Sequence, residues 1–432
     1  MLYSLIWLER MTVLLIRPAL LEGREYLYFL LSSLLLFLFS ISLEFYDYAL
    51  LTQFDDAVIE AKVLKHYSKE KEGVSYAVLK LRSEDGGVFY ITTKVPLKDL
   101  RGYRVTVWIK TRYLTFMEYL KGFVTKGRVL SLSRERAPQY EVGGYLQRLH
   151  REPEIGAIYG ALFVALPLEH RLQKHFSSLG VSHLLAISGF HLGVLTFILF
   201  TLLRYPYRRM QQIFFPYRHG SRDLFIAVAL ILGSYLLFLG DVASLIRAYM
   251  MLLTGYLLHD RGIKVISMQT LFVSVVLLLA LMPKLFFSIG FWLSVSGVYF
   301  IFLYLYFFKS VPARVSMVLI PVWVYLLMTP VALVLFGNYS LYHPLSVVWS
   351  LLFTLFYPLS LLLHLVGQGD LLDTPLRMIL ELPVEGKQFV ISRYWLVPYL
   401  IMALLPVRYK NALYGLLLFS LGVTVAAVYQ VA

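Results

Sequence analysis

Read for its hydrophobic and polar positions, the chain divides into three stretches of different character. Near the start an uncharged run from Tyr26 to Leu43, eighteen residues, is long enough as a helix to cross a hydrocarbon layer. The preceding Met1–Ile16 is interrupted by Glu9 and Arg10 and lacks a small-residue cleavage site, so it reads as an interfacial amphipathic helix rather than a secretory signal. From Asp55 to Ala137 no run is long enough to span. Short β-rich runs alternate there instead, at Ala57–Leu64, Val74–Arg82, Val88–Lys94, Tyr103–Lys110 and Arg128–Leu132, with Asp85-Gly86 as a hairpin turn. Five short strands predict a small all-β barrel of the OB type. Beyond Pro138 a mixed-charge stretch reaches Pro153, and Ile155–Leu168, apolar but about fourteen residues long, reads as interfacial or re-entrant. Apolar runs then recur at 180–203, 224–240, 242–258, 265–282, 287–308, 315–336, 344–366, 389–406 and 411–430. The expected fold is a polytopic α-helical membrane protein of about ten membrane segments, one a candidate re-entrant, with a small OB-like soluble insert. Its parts are an N-terminal helical region, 1–50, the insert, 51–137, and a polytopic core, 138–432.

Composition agrees with a membrane protein, since 59% hydrophobic against 15% charged residues leaves too little polar surface to face water. The absence of cysteine removes disulfides, cysteine-ligated zinc, Fe–S clusters and thiol catalysis. The 40 Lys and Arg against 26 Asp and Glu mix an orientation signal with affinity for anions, and only their distribution separates the two. Arg10, Arg17 and Arg24 place the N-terminus in the cytoplasm, and Arg204, Arg208, Arg209, Arg218 and Arg222 mark a cytoplasmic loop. The insert is then expected on the periplasmic side of a bacterial inner membrane. His259–Lys264 and Lys309–Arg314 fall inside on the same count. Arg408 and Lys410 do not, so one segment between 344 and 406 is expected not to span fully.

The insert carries 17 Lys or Arg against 10 Asp or Glu. Alternation puts Val105, Val107 and Ile109 on one face of a strand and Arg104, Trp108, Lys110 and Arg112 on the other, with Tyr76, Lys80 and Arg82 along a second strand. A basic, aromatic outer face suits single-stranded nucleic acid, because phosphates attract cations and unstacked bases lie on flat rings. It equally suits a solvated sheet face with ordinary cross-strand pairs.

In the core, the run His183-Leu-Leu-Ala-Ile-Ser188-Gly189-Phe-His191 gathers two histidines, a hydroxyl and a helix-weakening glycine in apolar surroundings. Both histidines share a face if the helix continues through Gly189; if it breaks there, freed backbone groups can line an aqueous cavity. Hydrogen bonding between packed helices is the plainer role. No third ligand at a clear spacing supports a metal, and no cofactor is expected. Arg247 is the most deeply placed charge, at a cost of roughly 2.5 to 3.5 kcal/mol on insertion scales, and needs either Asp241 or a substrate phosphate as partner. Gly290-Phe-Trp-Leu-Ser294 begins another span with small and polar residues fit for close packing or a pore lining.

The order and spacing of Ser182-His183-Leu-Leu-Ala-Ile-Ser-Gly-Phe-His191, Ile246-Arg247-Ala248 and Gly290-Phe-Trp-Leu-Ser294 resemble the competence domain of the ComEC family, the inner-membrane DNA channel of natural transformation. The resemblance implies passage of single-stranded DNA from periplasm to cytoplasm, the insert receiving it, with His183, Ser188, Gly189, His191, Arg247, Gly290 and Ser294 shaping the passage. It also implies a short form lacking the C-terminal metallo-β-lactamase-like domain of many members, since no His-x-His-x-Asp-His cluster is present. A separate nuclease, a periplasmic DNA receptor and a cytoplasmic helicase-like ATPase are the implied partners, and a homo-oligomer is left open. No P-loop supplies a motor, the nearest approach at Gly122–Arg128 lacking the lysine and hydroxyl. No catalytic residue is expected. The rival reading is an intramembrane serine hydrolase with Ser188 as nucleophile and a histidine as base, although Ala186 stands where the Gly-x-Ser pattern needs glycine. A small-solute transporter predicts internal repeats, and none is visible.

Overall fold

The uncharged run near the start forms helix α1, Glu25–Leu51, whose leucines stand largely exposed, as a lipid-facing helix requires. The computed structural model describes residues 23–71, 74–84, 86–94, 98–240, 242–260, 267–389 and 391–431. The expected helix Met1–Ile16, Arg10 and Arg17, Asp85, Asp241 and Arg261–Lys264 lie outside those residues.

Alternation in the insert produces five strands: β1 (Asp56–Lys71), β2 (Val74–Ser83), β3 (Val88–Thr93), β4 (Tyr103–Lys110) and β5 (Val124–Arg136). They close into a barrel in the order β1-β2-β3-β5-β4, every pair antiparallel except β3 with β5. Closure removes free sheet edges, and the inward residues Leu79, Leu81, Ile91, Val107 and Ile109 are fully buried. β5 begins earlier and ends later than its apolar run predicts, because its outer face alternates poorly while its backbone still finds partners on β3 and β4. The β2–β3 hairpin turns at Gly86, whose φ of +78° favours glycine. Helix α2, Phe116–Lys121, opens with a reciprocal cap between Thr115 and Glu118.

The barrel is fixed to the membrane helices at several points. Glu44 of α1 pairs with Lys284 at 2.6 Å, and the same ammonium lies 4.5 Å from the centre of the Tyr119 ring on α2. Tyr48 donates to the Leu114 carbonyl at 2.8 Å. At the other end, Arg136 closes β5 between the rings of Tyr103 and Tyr140, with Tyr140 on helix α3, Pro138–Leu149. Helix α4, Pro153–Val164, folds back on α3, with Gln147 against Gly156. Apart from half-buried Ala157 it is buried from Ile155 to Val164, so of the two expectations, interfacial or re-entrant, a helix enclosed by protein does not fit the interfacial one.

The remaining helices are α5 (His170–Ser178), α6 (Ser182–Leu185), α7 (Gly189–Phe214), α8 (Gly220–Leu239), α9 (Ala243–Asp260), α10 (Met268–Leu281), α11 (Ile289–Phe307), α12 (Ala313–Phe336), α13 (Ser346–Leu365), α14 (Asp373–Leu380), α15 (Leu396–Leu404) and α16 (Ala412–Val431). Seven described helices are long and apolar enough to cross a membrane, against about ten segments expected, and the protein is multi-pass by that measure. The runs at 265–282 and 389–406 yield only 14 residues in α10 and the composite turn-and-helix Arg393–Val407. The run at 180–203 yields a helix beginning only at Gly189 and continuing past Pro206 to Phe214, because the arginines and glutamines beyond it are good helix formers.

Gly102 joins barrel to α3 under two constraints: its φ is +82°, and a Cβ there would lie 2.2 Å from the Tyr140 ring. Gly102→Ala is therefore expected to destabilise the barrel-side half by about 1–3 kcal/mol, read as a lower thermal midpoint of the purified protein and faster proteolysis between barrel and α3. An unchanged midpoint would contradict this packing.

Candidate functional site

On β4 the outward residues Arg104 and Lys110 are exposed and Trp108 is half-buried, while Arg112 just beyond the strand is exposed. Tyr76, Lys80 and Arg82 are half-buried on β2. Strand β1 lies between the two, and register sets Lys62 opposite both Arg82 and Arg104, and Lys65 opposite Lys80. Six of the seven residues read from the sequence thus fall on two strands joined by a third, with Arg112 just past the end of β4, and the lysines of that third strand are not singled out by the apolar pattern of β1. Like charges opposite one another on neighbouring strands are unfavourable. Burial lowers the Lys65 ammonium below its ordinary pKa, and the Lys80 charge lowers it further; burial and the Arg82 charge do the same to Lys80. Lys80 also lies 5.6 Å from the Tyr90 ring centre. Glu84 stands 3.7 Å from Arg104 and Asp55 3.7 Å from Arg112, both exposed pairs of little strength. Arg82 points at the core, its guanidinium 3.5 Å from the Gly240 carbonyl that ends α8. The basic row of the barrel therefore runs to the end of a membrane helix.

Just below, the chain breaks. Residues 186–188 are non-helical, so His183 on α6 and His191 on α7 do not share a helix face. His183 instead meets the Ser350 hydroxyl at 3.3 Å. The carbonyl of Ile187 accepts from Ser244 at 2.6 Å, and Gly189 packs close to α9, a Cβ there falling 3.6 Å from Ala248. Ser188 caps α7: its N–H donates to His191 Nδ1 at 3.2 Å, and its hydroxyl lies 3.1 Å from the same nitrogen. A backbone N–H can only donate, so Nδ1 accepts and the ring proton sits on Nε2. His191 is 1% exposed, its ring 4.4 Å from that of Tyr357 and 5.4 Å from that of Phe353, and Nε2 has no hydrogen-bond partner among the described residues. A serine hydrolase needs a base oriented through its second nitrogen; here that nitrogen faces aromatic rings and the Ser–His contact is a helix cap.

Arg247 is 6% exposed, its guanidinium 5.5 Å from the Phe291 ring centre, and its Nε has no hydrogen-bond partner among the described residues. It lines a small cavity with Ser274, Phe291 and Ser294. Gly290 opens the first turn of α11, where the nearest atom to an added Cβ would be the Ser288 hydroxyl at 3.9 Å. The three motifs thus meet near the barrel-side ends of α7, α9 and α11.

Two groups escape a reading of the sequence alone. Ser340 and His343 repeat the Ser188–His191 cap at the same spacing, with N–H to Nδ1 at 2.9 Å, and Gly180 rests on the His343 ring. The repeated Ser-x-x-His spacing is the available signal. His150 joins Asp373 at 2.8 Å and His364 at 3.1 Å, a contact between residues so far apart in sequence that no local pattern announces it. Among the described residues no group of three His, Asp or Glu is arranged to hold a metal ion.

A protein-family model described as "Competence protein" matches residues 167–430. No curated protein and no solved structure matches the chain.

Lys65→Gln or Lys80→Gln is expected to raise the unfolding free energy of the protein by about 0.2–1 kcal/mol by removing a like-charge cross-strand contact. Loss of stability in both would mean that the lysines are satisfied structural residues. A fluorophosphonate probe is expected to leave the chain unmodified; labelling that disappears in Ser188→Ala would revive the hydrolase.

Proposed function

Because the chain belongs to the competence protein family, with more than half its length matched, we propose that it is the inner-membrane channel through which single-stranded DNA passes from periplasm to cytoplasm in natural transformation. Membership supports a part in DNA uptake. The observation that carries the finer reading is the cross-strand row Arg82–Lys62–Arg104, with Lys65 and Lys80 beside it, which gathers five cations on three adjacent strands and leads to Gly240. Such an arrangement gains most from a polyanion that neutralises several cations at once and releases its counterions. The strand order and the parallel β3–β5 pair favour an OB-type barrel, and Tyr76, Tyr90 and Trp108 offer flat rings beside the cations.

Below the barrel, a few cations amid neutral polar groups suit a path that must hold phosphates and release them. Arg247 supplies the cation, and Ser274 and Ser294 the neutral groups. Ser188 and the Nε2–H of His191 add donors at the start of a helix, where an anion is favoured. None of these residues needs to form a covalent bond for this work, and we read the chain as a channel rather than an enzyme. The same reading puts the barrel in the periplasm and assigns to partner proteins the receptor, nuclease and ATPase roles.

Purified protein titrated with single-stranded DNA at several salt concentrations should show affinity falling as salt rises, with a shallower slope in Arg104→Ala and in Lys110→Ala. Salt-independent or absent binding would sink the role of the barrel. In a transformable host, deletion should leave fluorescent DNA in the periplasm, and Arg247→Ala and His191→Ala at normal membrane levels should do the same. Normal cytoplasmic signal in the deletion would remove the channel reading.

A further inference from the structure

Helix α13 is long and apolar enough to cross a membrane, yet its contacts with the start of α7 and, through Phe163, with the last turns of α8 fall toward the barrel-side ends of those helices. The barrel side is set by α11, which starts just after Phe287, a residue packed on the barrel core, and by α12, which runs back antiparallel to it, with Trp323 donating to the Phe300 carbonyl and Tyr304 to Ser316. Gly337, which ends α12, is therefore on the barrel side. There it accepts from the Phe389 N–H at 2.6 Å, while Lys387 reaches the Val431 carbonyl at the end of α16. The chain enters α13 only a few residues later. Midway, Ser350 meets His183, and Phe353 and Tyr357 cover His191 in the first turn of α7. At the far end, His364 meets His150, which closes the helix leaving the barrel, and stacks edge-on against Phe163. The Phe163 carbonyl accepts from Tyr235, near the end of α8 that reaches Gly240 and the barrel.

A helix of 20 residues is about 30 Å long, so one crossing the bilayer would have its two ends on opposite sides. We propose that α13 does not cross: it lies in the plane of the membrane over the barrel-side ends of α7 and α8, as a lid on Ser188 and His191. Its surface fits that position. Val348, Leu352, Leu355, Leu359 and Leu362 form an exposed apolar stripe at helical spacing, and Phe353, Tyr357 and Ser360 are buried on the other face. The placement also resolves the charge count. With α13 not crossing, α15 runs away from the barrel, its Tyr399 and Ala403 bonded to Leu327 and Tyr299, and delivers Arg408 and Lys410 to the same side as the arginines after α7. The contact of His150 with Asp373 and His364 then fastens the lid to the helix that leaves the barrel. The functional half of this proposal rests on the channel reading, since only a passing strand would need His191 uncovered. The position of α13 does not.

The chain has no cysteine, so single cysteines report position without background. Leu341→Cys before α13, Leu371→Cys after it, Tyr113→Cys on the barrel and Tyr217→Cys between α7 and α8 are all at exposed residues. Treated in intact spheroplasts with a membrane-impermeant maleimide, the first three should label alike and Tyr217→Cys only after permeabilisation. Leu371→Cys labelling only with Tyr217→Cys would overturn the proposal, whether or not the chain carries DNA. For the lid, Phe190→Cys with Phe353→Cys, whose native rings lie 5.9 Å apart, should form a disulfide between α7 and α13. Uptake should be lost in the oxidised form and return on reduction in the same cells; equal uptake in both forms would overturn the lid.

Discussion

A polypeptide inside a membrane has to satisfy each backbone N–H and C=O from within, and the break at 186–188 is where this chain meets that demand away from a regular helix. Its surroundings are arranged around that need. Ser244 takes the Ile187 carbonyl, Ser188 and His191 cap each other at the start of α7, and Gly189 lies beside Ala248 of α9. The second Ser-x-x-His cap, at Ser340 and His343, stands on Gly180 just before the break, and Ser340 takes the Ser178 carbonyl. What looks in sequence like a catalytic pairing of serine and histidine is in structure a way of ending and starting helices where water is scarce. The same arrangement leaves the His191 Nε2–H without a hydrogen-bond partner among the described residues, beneath the rings of α13.

The barrel and the core present cations in opposite ways. On the barrel, lysines and arginines face one another across three strands with a half-open surface, so their repulsion is softened by solvent. In the core Arg247 is almost wholly enclosed, with the face of Phe291 5.5 Å from its guanidinium. A wide, screened basic surface followed by one concentrated charge is a gradient in electrostatic strength rather than in charge number, because each unit of charge acts more strongly as the surrounding dielectric falls.

Much of this is legible in the chain. Alternation locates all five strands, though β1 continues seven residues past Leu64 to Lys71, and puts Val105, Val107 and Ile109 inside, because a closed barrel leaves β4 one buried face. Hydropathy finds the membrane runs but does not decide their breaks: Gly189 leaves continuation and interruption of 180–203 both open, and the tertiary partner Ser244, with the Ser188–His191 cap, makes the break tolerable. Ile155–Leu168 reads as interfacial or re-entrant because length separates a spanning helix from a non-spanning one without saying whether protein or lipid surrounds it. Lys62 and Lys65 escape notice for a different reason. Their importance lies in cross-strand register, which no single strand encodes, and His150, His364 and Asp373 likewise become a group only once three distant segments pack.

The clamp formed by Glu44, Lys284 and Tyr119, together with Arg136 wedged between Tyr103 and Tyr140, ties the barrel down at both of its chain ends. A module hung from one linker would swivel, and any pull on it would be lost in turning. Fastened at two separated points, this barrel resists torque, and a tension applied along its outer face is shared between α1 with the start of α11 on one side and the α3–α4 hairpin on the other. Mechanically it is an anchorage with two legs, stiff enough to keep its basic row aimed at Gly240 while something is drawn across it.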